Sequence, residues 1–453
     1  MKTKLFSTFD PVSSKAFKQK IQYDLKGADY NETLLWHSDE GINVKPFYHQ
    51  DEVLDTLDID TPESWCIAAP IFILEATQAA QTANKVISNG AEALYFTSES
   101  PFDATALFSN LENKEIPVYI KLNFLDVAFY KEVYAFAKAY NITIYLDIIH
   151  HLVNDGNWFS NLKEDYTQLT SILKSDHKKI TIDITTYQNA GAIMVQQLGY
   201  GLAHLAEYLH HCDQEKLVLD EVTFEVAVGT NYFFEIAKLR ALRVVVQTVL
   251  DAFSEYTSNT KIRIITHPSK RNKTIYDYNT NMLRTTTEYM SAVLGGSDLI
   301  VPLAYDALYH KTNEFGERIA RNQLIILKEE SYFDVVQNAS EGSYYIESIT
   351  EQLAEKALDL FKEIEKNGGF LKQLKEGTIQ RKIKESASSE QAQFDEAKII
   401  LLGTNKHPNK EDRMKNDLEL YPFLKIKPRK TIIEPIVSKR LSESIEQQRL
   451  KTE

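Results

Sequence analysis

The sequence predicts an α/β fold, a (β/α)8 TIM barrel carrying an N-terminal extended arm and a C-terminal helical, linker-like extension. Short β-rich runs alternate with helical patterns eight times between residues 64 and 303. That alternation is the signature of parallel strands joined by crossover helices. At 453 residues, 43% hydrophobic and 25% charged, the chain has material for one large core with extensions.

In chain order, residues 1–60 mix turn signals with aromatics and read as an irregular arm at a subunit interface, because Trp36, Phe47 and Tyr48 need a second surface to bury them. The barrel is assigned to 61–330. Its strands are expected at 64–72, 93–98, 118–124, 142–149, 179–185, 222–228, 261–267 and 298–303, with Asp147 inside the fourth. Between them, Met194, Leu198, Leu202, Leu205 and Leu209 fall on one helical stripe, and Leu283, Thr287, Met290 and Leu294 on another. Gly295 then sits at a helix C-cap position. The remainder, 331–453, follows helical patterns near 317–330 and 350–367 with Gly368 and Gly369, then a polar charged run to Phe394 that reads as a connector. The strands carry Tyr95, Phe96, Tyr119, Lys121, Tyr145 and Phe224, and alternation must turn about half of them to the axis, which predicts a packed barrel without a channel.

Composition excludes several classes of function. Two cysteines, Cys66 and Cys212, make neither a disulfide framework nor a zinc site, which suits a reducing cytoplasm. No run of about 18 apolar residues or secretory signal occurs, so neither a membrane span nor export is expected. A net charge of -13 argues against nucleic acid. From residue 371 onward, however, 18 Lys and Arg face 13 Asp and Glu, a net of +5 that leaves -18 on residues 1–370. That basic tail is either a solvated surface or a dock for an acidic partner.

Several blocks carry a family resemblance. YDYNTNMLRTTTEYMSAVLGGSD (276–298), ERIARNQLIILKEES (317–331) and GSYYIES (342–348) are similar to segments of the methylmalonyl-CoA mutase family, as are DLKGADYNETLLWHSDEGINVKPFY (24–48) and GTNYFFEIAKLRALR (229–243). The segments KIILLGTNKHPN (398–409) and IIEPIVSKRLSESIEQQR (432–449) resemble the family's junction between its barrel and its cobalamin domain, and the sequence ends where that domain is expected to begin. The resemblance implies adenosylcobalamin-dependent interconversion of (R)-methylmalonyl-CoA and succinyl-CoA. The cofactor's lower ligand in the family is the histidine of an Asp-x-His-x-x-Gly loop, a spacing that none of the 11 histidines has.

The resemblance also implies a barrel histidine that polarises the thioester carbonyl. Aligning TTYQNAGA (185–192) with that block puts Thr186 at its place, and threonine cannot serve as a general acid near neutral pH. The family's tyrosine and arginine block before the first strand is replaced by DTPESWCIAAPIF (60–72), and its segments near strands four and five by VNDGNWFSNLKEDYTQLTS (153–171). The pattern therefore resembles the family's small, non-catalytic subunits. It implies a heterodimer in which a large partner subunit holds adenosylcobalamin and meets the acyl-CoA, with no catalytic, cofactor or metal residues expected here. The alternative is a catalytic barrel chain whose cobalamin domain is a separate polypeptide.

Other candidates are weaker. Asp147, His150 and His151, at the barrel end where active sites are built, are the best set for a free-standing isomerase or lyase. His204, Glu207, His210, His211 and Cys212 are expected to form a polar outer helix face, not a metal site. Arg321, Asn322, Tyr344, Tyr345 and Glu347 are read as packing or interface residues, with Arg318 or Arg321 contacting carboxylates.

Overall fold

The computed structural model describes residues 7–453 apart from 53–56, 58, 176–177, 254–258 and 426–427. The arm is more regular than expected. Ser13 caps a helix over Ser14–Asp24 by accepting from the Ala16 N–H, and Asp29 caps Tyr30–Leu34 by accepting from the N–H groups of Asn31 and Glu32. A two-residue antiparallel ribbon follows, β1 (Trp36–His37) with β2 (Asn43–Val44). The arm's aromatics find part of their cover within the chain: Trp36 lies edge-on to Phe234 at 5.5 Å and Tyr48 against Tyr345 at 5.3 Å.

All eight predicted barrel strands form. They are β3 (Cys66–Phe72), β4 (Ala93–Ser98), β5 (Val118–Leu122), β6 (Ile142–Tyr145), β7 (Lys179–Asp183), β8 (Glu221–Val228), β9 (Lys261–Pro268) and β10 (Leu299–Ile300). Every pair is parallel, in the order β6-β5-β4-β3-β10-β9-β8-β7, with helices outside: a (β/α)8 barrel. Leu299 in register with Cys66 brings the last strand onto the first. Among the described residues no backbone ladder joins β6 to β7, and side chains bridge that seam instead. Lys179 Nζ donates to Thr143 Oγ1 (3.1 Å), and the Asp183 N–H donates to Asp147 Oδ2 (2.8 Å).

Strand β6 ends four residues earlier than expected, because Asp147 turns the chain into a helix over Ile148–Asp155 by accepting from the His150 N–H at 2.9 Å. The stripe on helix Met194–Glu215 is buried as expected. On helix Thr280–Leu294 the expected stripe is wrong, since Leu283 and Thr287 face solvent. The face turned inward carries Asn281, Thr285, Glu288 and Tyr289, because Glu288 pairs with buried Lys273 at 2.8 Å. Gly295 is the C-cap, but the left-handed residue is its neighbour Gly296 (φ 85°).

Beyond the barrel, helix Glu314–Ile325 runs into a π-turn over Ile326–Glu330, and helix Tyr344–Lys366 packs between Met194–Glu215 and Tyr232–Ala252. The run expected to be a connector is folded, into helices Phe370–Lys375 and Thr378–Asp395 that bury Phe370, Leu374, Ile379, Ile383 and Phe394. The first four of these recur every four or five positions within polar sequence, a helical spacing hidden by high charge. The described part of 418–441 has no helix or strand and straps across the barrel's C-terminal end. Its N–H groups donate outward: Glu419 and Leu420 to the Tyr309 carbonyl (2.8 Å each), Ile433 to Gly156 (3.1 Å), Ile436 to Val153 (2.9 Å) and Lys439 to Asn189 (3.0 Å). Helix Glu443–Thr452 closes the chain. Among the described residues no helix is long and apolar enough to cross a membrane.

Candidate functional site

Strand alternation sends the odd-numbered residues of β4 to β10 to the axis, and the even-numbered Cys66 and Ala68 of β3. Tyr95, Tyr119, Lys121 and Tyr145 point inward, while Phe96 and Phe224 face the helices. The axis is therefore polar and aromatic where barrels of this class are filled by branched apolar layers. In the layer nearest the C-terminal mouth, Lys121 Nζ donates to Asp183 Oδ2 (2.5 Å) and Glu225 Oε2 (2.6 Å), and Tyr95 Oη donates to Glu225 Oε1 (2.7 Å). Below it, Arg263 meets Glu221 (3.0 Å) and the Tyr119 hydroxyl (3.2 Å), and Tyr119 stacks on Tyr145 at 5.6 Å.

Burial pulls the Lys121 ammonium down, but Asp183 and Glu225 outweigh it and raise it. Burial pushes both carboxyls up, yet His150 and Lys121 hold Asp183 below the usual carboxylate range, and Lys121 does the same for Glu225. All three groups are thus charged and mutually committed, so none is poised to exchange a proton near neutrality.

Two open clefts flank this layer. One of about 620 Å³ is bordered by Pro70, Thr97, Thr186, His267 and Lys270, and one of about 850 Å³ lies over the β6/β7 seam beside Asp147, His150 and His151. The structure thus brings Asp147, His150 and His151 together at the mouth, but on a capped helix and not, as the sequence suggested, within a strand and its loop. Asp147 accepts from Tyr208 Oη (2.6 Å), His204 Nε2 (3.0 Å) and the Asp183 N–H. Burial pushes its carboxyl up, and His204 with its other partners draws it below the usual range. His150 Nδ1 meets the Asp183 carbonyl at 2.9 Å, which fixes that nitrogen as a donor, and its Nε2 meets Asn154 at 2.5 Å. His151 stacks on Phe159 at 3.6 Å, and burial lowers its pKa. The hydrogen-bonding groups of the Asp147 and His150 side chains are all engaged, and Asp147 Oδ2 with His150 Nδ1 ties the end of β6 to Asp183 of β7.

Thr186 is buried in the short helix Thr185–Asn189 and borders the first cleft. His204 and Cys212 do not lie on an outer face: both are buried, and His204 stacks on Phe370 at 5.6 Å. Among the described residues no group of three His, Cys, Asp or Glu could hold a metal ion. Among the described residues neither Arg318 nor Arg321 forms a close ion pair, though Glu314 and Glu317 feel their charges; Arg321 Nε donates to the Asn89 carbonyl (2.9 Å), while Arg318 lies over the Phe315 ring at 5.6 Å. Glu347 packs as expected, paired with buried Arg240 at 2.7 Å. The sequence signal missed for His204 was its stripe: it is spaced i, i+4 from Tyr208, which faces Asp147 with it.

A pantetheine arm threaded along the axis requires small side chains there, and Tyr95, Tyr119, Tyr145 and Lys121 do not fit it. Three of the mouth imidazoles are committed elsewhere and do not fit the role of a lower cobalt ligand: His150 is engaged as described, His267 faces Glu225 at 3.5 Å, and His310 lies between Asp306 (3.2 Å) and Asp417 (3.4 Å).

Comparison with known proteins agrees with the blocks in the sequence. The sequence profile of methylmalonyl-CoA mutase matches residues 98–447. The chain is 31% identical over 447 residues to the methylmalonyl-CoA mutase small subunit of Porphyromonas gingivalis, spanning 90% of this chain and 72% of that protein. It is 28% identical over 455 residues to the methylmalonyl-CoA mutase of Cereibacter sphaeroides (86% of this chain, 64% of that one) and 37% over 234 residues to that of Rhizobium meliloti (50% and 33%). Barrel, matching blocks and relatives agree that the chain belongs to the methylmalonyl-CoA mutase family.

Proposed function

We propose that this chain is the small subunit of a heterodimeric methylmalonyl-CoA mutase of the cytoplasm. It supports a large partner subunit that holds adenosylcobalamin and interconverts (R)-methylmalonyl-CoA and succinyl-CoA, and it is itself catalytically silent. The observation that carries this reading is the barrel axis, where Lys121, Asp183 and Glu225 lock one another and tyrosines take the space an acyl-CoA arm would need. Thr186 at the position of the family histidine supports it, as does similarity to a relative named as a small subunit. Since the cofactor supplies the radical chemistry, a supporting subunit needs no reactive group of its own.

The partner contact is assigned to the N-terminal arm, where Val12, Tyr23 and Trp36 remain exposed. An obligate interface of roughly 2,000 Å² or more is expected. The test is mutase activity with (R)-methylmalonyl-CoA and adenosylcobalamin for this chain, the large subunit and their mixture. Activity only when the large subunit is present is the expected result. Turnover by this chain given only a separate cobalamin-domain protein would instead establish a catalytic barrel, as would turnover restored by Thr186→His alone. Deleting residues 1–48 should abolish co-purification, and full yield of the complex after that deletion would refute the arm assignment.

A further inference from the structure

The net +5 of the tail is concentrated. Residues 421–441 hold six Lys and Arg against the single acid Glu434, so this short stretch carries the whole surplus. The fold lays it across the barrel's C-terminal end. Two of its cations are neutralised: Arg429 pairs with Asp155, and buried Arg440 pairs with Glu446 at 2.6 Å. Lys425, Lys430 and Lys439 stay exposed and, among the described residues, without an ion pair. Between them Tyr421, Ile432 and Val437 are 58%, 58% and 47% exposed. Apolar side chains ringed by unpaired cations have the composition of a protein interface, apolar at the centre and polar at its rim. Because backbone hydrogen bonds to Gly156, Val153 and Asn189 hold the strap, little ordering entropy is lost when something docks there.

We infer that the strap surface formed by Lys425, Lys430, Lys439, Tyr421, Ile432 and Val437 docks an acidic protein surface, that of the partner subunit. The inference rests on the proposed heterodimer and adds a second contact, remote in sequence from the arm. Charge selects the occupant. Residues 1–370 carry -18, so long polyanions such as nucleic acid are repelled by the body that presents the strap. A second copy of this chain has acidic surface to offer, but strap-to-body contact between copies is head-to-tail unless it repeats reciprocally about a two-fold axis, and head-to-tail contacts build rings or filaments. A distinct acidic partner ends the contact at one pair.

The experiment measures affinity of the full-length chain for the large subunit by calorimetry at low and high salt. It compares the wild type, K425E/K430E/K439E, the neutral K425Q/K430Q/K439Q and the control K131E/K163E, with light scattering on each chain alone. The triple reversal should weaken binding about 100-fold at low salt and flatten its salt dependence; the neutral variant should fall between, and the control should bind as wild type. Tight wild-type binding that the reversal leaves within about threefold overturns the strap assignment while the heterodimer stands. No wild-type binding overturns the heterodimer and the strap assignment with it. Loss of a self-associated form in the reversal, with partner binding intact, assigns the face to a second copy and also overturns the inference.

Discussion

Removing Lys121 tests whether the charged layer in the barrel mouth is structural. Lys121→Met keeps the length of the side chain but leaves Asp183 and Glu225, 2% and 1% exposed on neighbouring strands, without their shared cation. At about 5 Å and an effective dielectric near 20, their repulsion alone is roughly 3 kcal/mol. Breaking a buried pair by removing one partner costs about 3–5 kcal/mol. A loss of about 3–5 kcal/mol at pH 7 is therefore expected. It should shrink at pH 5, because one of the two carboxyls then takes a proton. Urea denaturation followed by tryptophan fluorescence reads this directly. K121M/E225Q should recover much of the loss, since a neutral amide can keep the Tyr95 hydrogen bond without the repulsion. A K121M chain destabilised by less than about 1 kcal/mol would mean the layer behaves as a solvated surface pair, and would refute its reading as a committed structural cluster.

Other outcomes follow from the same geometry. Gly156 has φ 84°, and a Cβ there would lie 2.8 Å from the Ile433 carbonyl oxygen; Gly156→Ala should cost at least about 1–2 kcal/mol and speed hydrogen exchange at Ile433 and Ile436, whereas unchanged protection would mean the strap is not held there. The carboxyls of Asp147, Asp183 and Glu225 are depressed in the fold, so their contribution is present above the ordinary values of 3.8 for Asp and 4.5 for Glu and is lost as pH falls below them. A melting temperature that declines steeply below about pH 4.5, and less so in Asp183→Asn, checks that sign. Glu40 of the arm accepts from the Met194 and Val195 N–H groups, and burial pushes its carboxyl up to about 7. Its contribution to docking is therefore fullest below 4.5 and is lost as pH rises through about 7. The arm should be cut faster by protease at pH 8 than at pH 5.5, and Glu40→Gln should level the two rates.

The strands were legible because each is a short β-branched and aromatic run, and parallel strands buried on both faces announce themselves that way. The helix over Thr280–Leu294 was misread for the opposite reason. Its inward face is polar, held by Lys273 and Asn272 on Glu288, and apolar periodicity cannot see a face that packs through ion pairs. The folded stretch 370–395 was hidden by its charge, and the arm's helices by their brevity, although Ser13 and Asp29 were cap signals in plain view. At the mouth the sequence singled out Asp147 and His150 but could not give their contacts. Their partners, Asp183, His204 and Tyr208, lie 33 to 61 positions away, a distance that no local pattern spans.

A charged axis also answers a question that an apolar one would leave open. Replacing a buried ion cluster by well-packed apolar residues is often stabilising, so Lys121, Asp183 and Glu225 are not needed to make the barrel stable. They do fix its register. A slip of one residue in β5, β7 or β8 would turn these three side chains from the axis into the apolar shell under the helices, leaving charges buried without partners. That constraint matters most where backbone pairing is missing, at the β6/β7 seam. There Lys121 on β5 reaches past β6 to Asp183 on β7 and Glu225 on β8, while Asp147 and His150 clasp the Asp183 backbone. The residues that most resemble a catalytic set are thus those that close the ring. Asp147→Asn, which weakens the clasp but keeps the volume, should loosen β6 and β7 in hydrogen exchange before it affects any other strand.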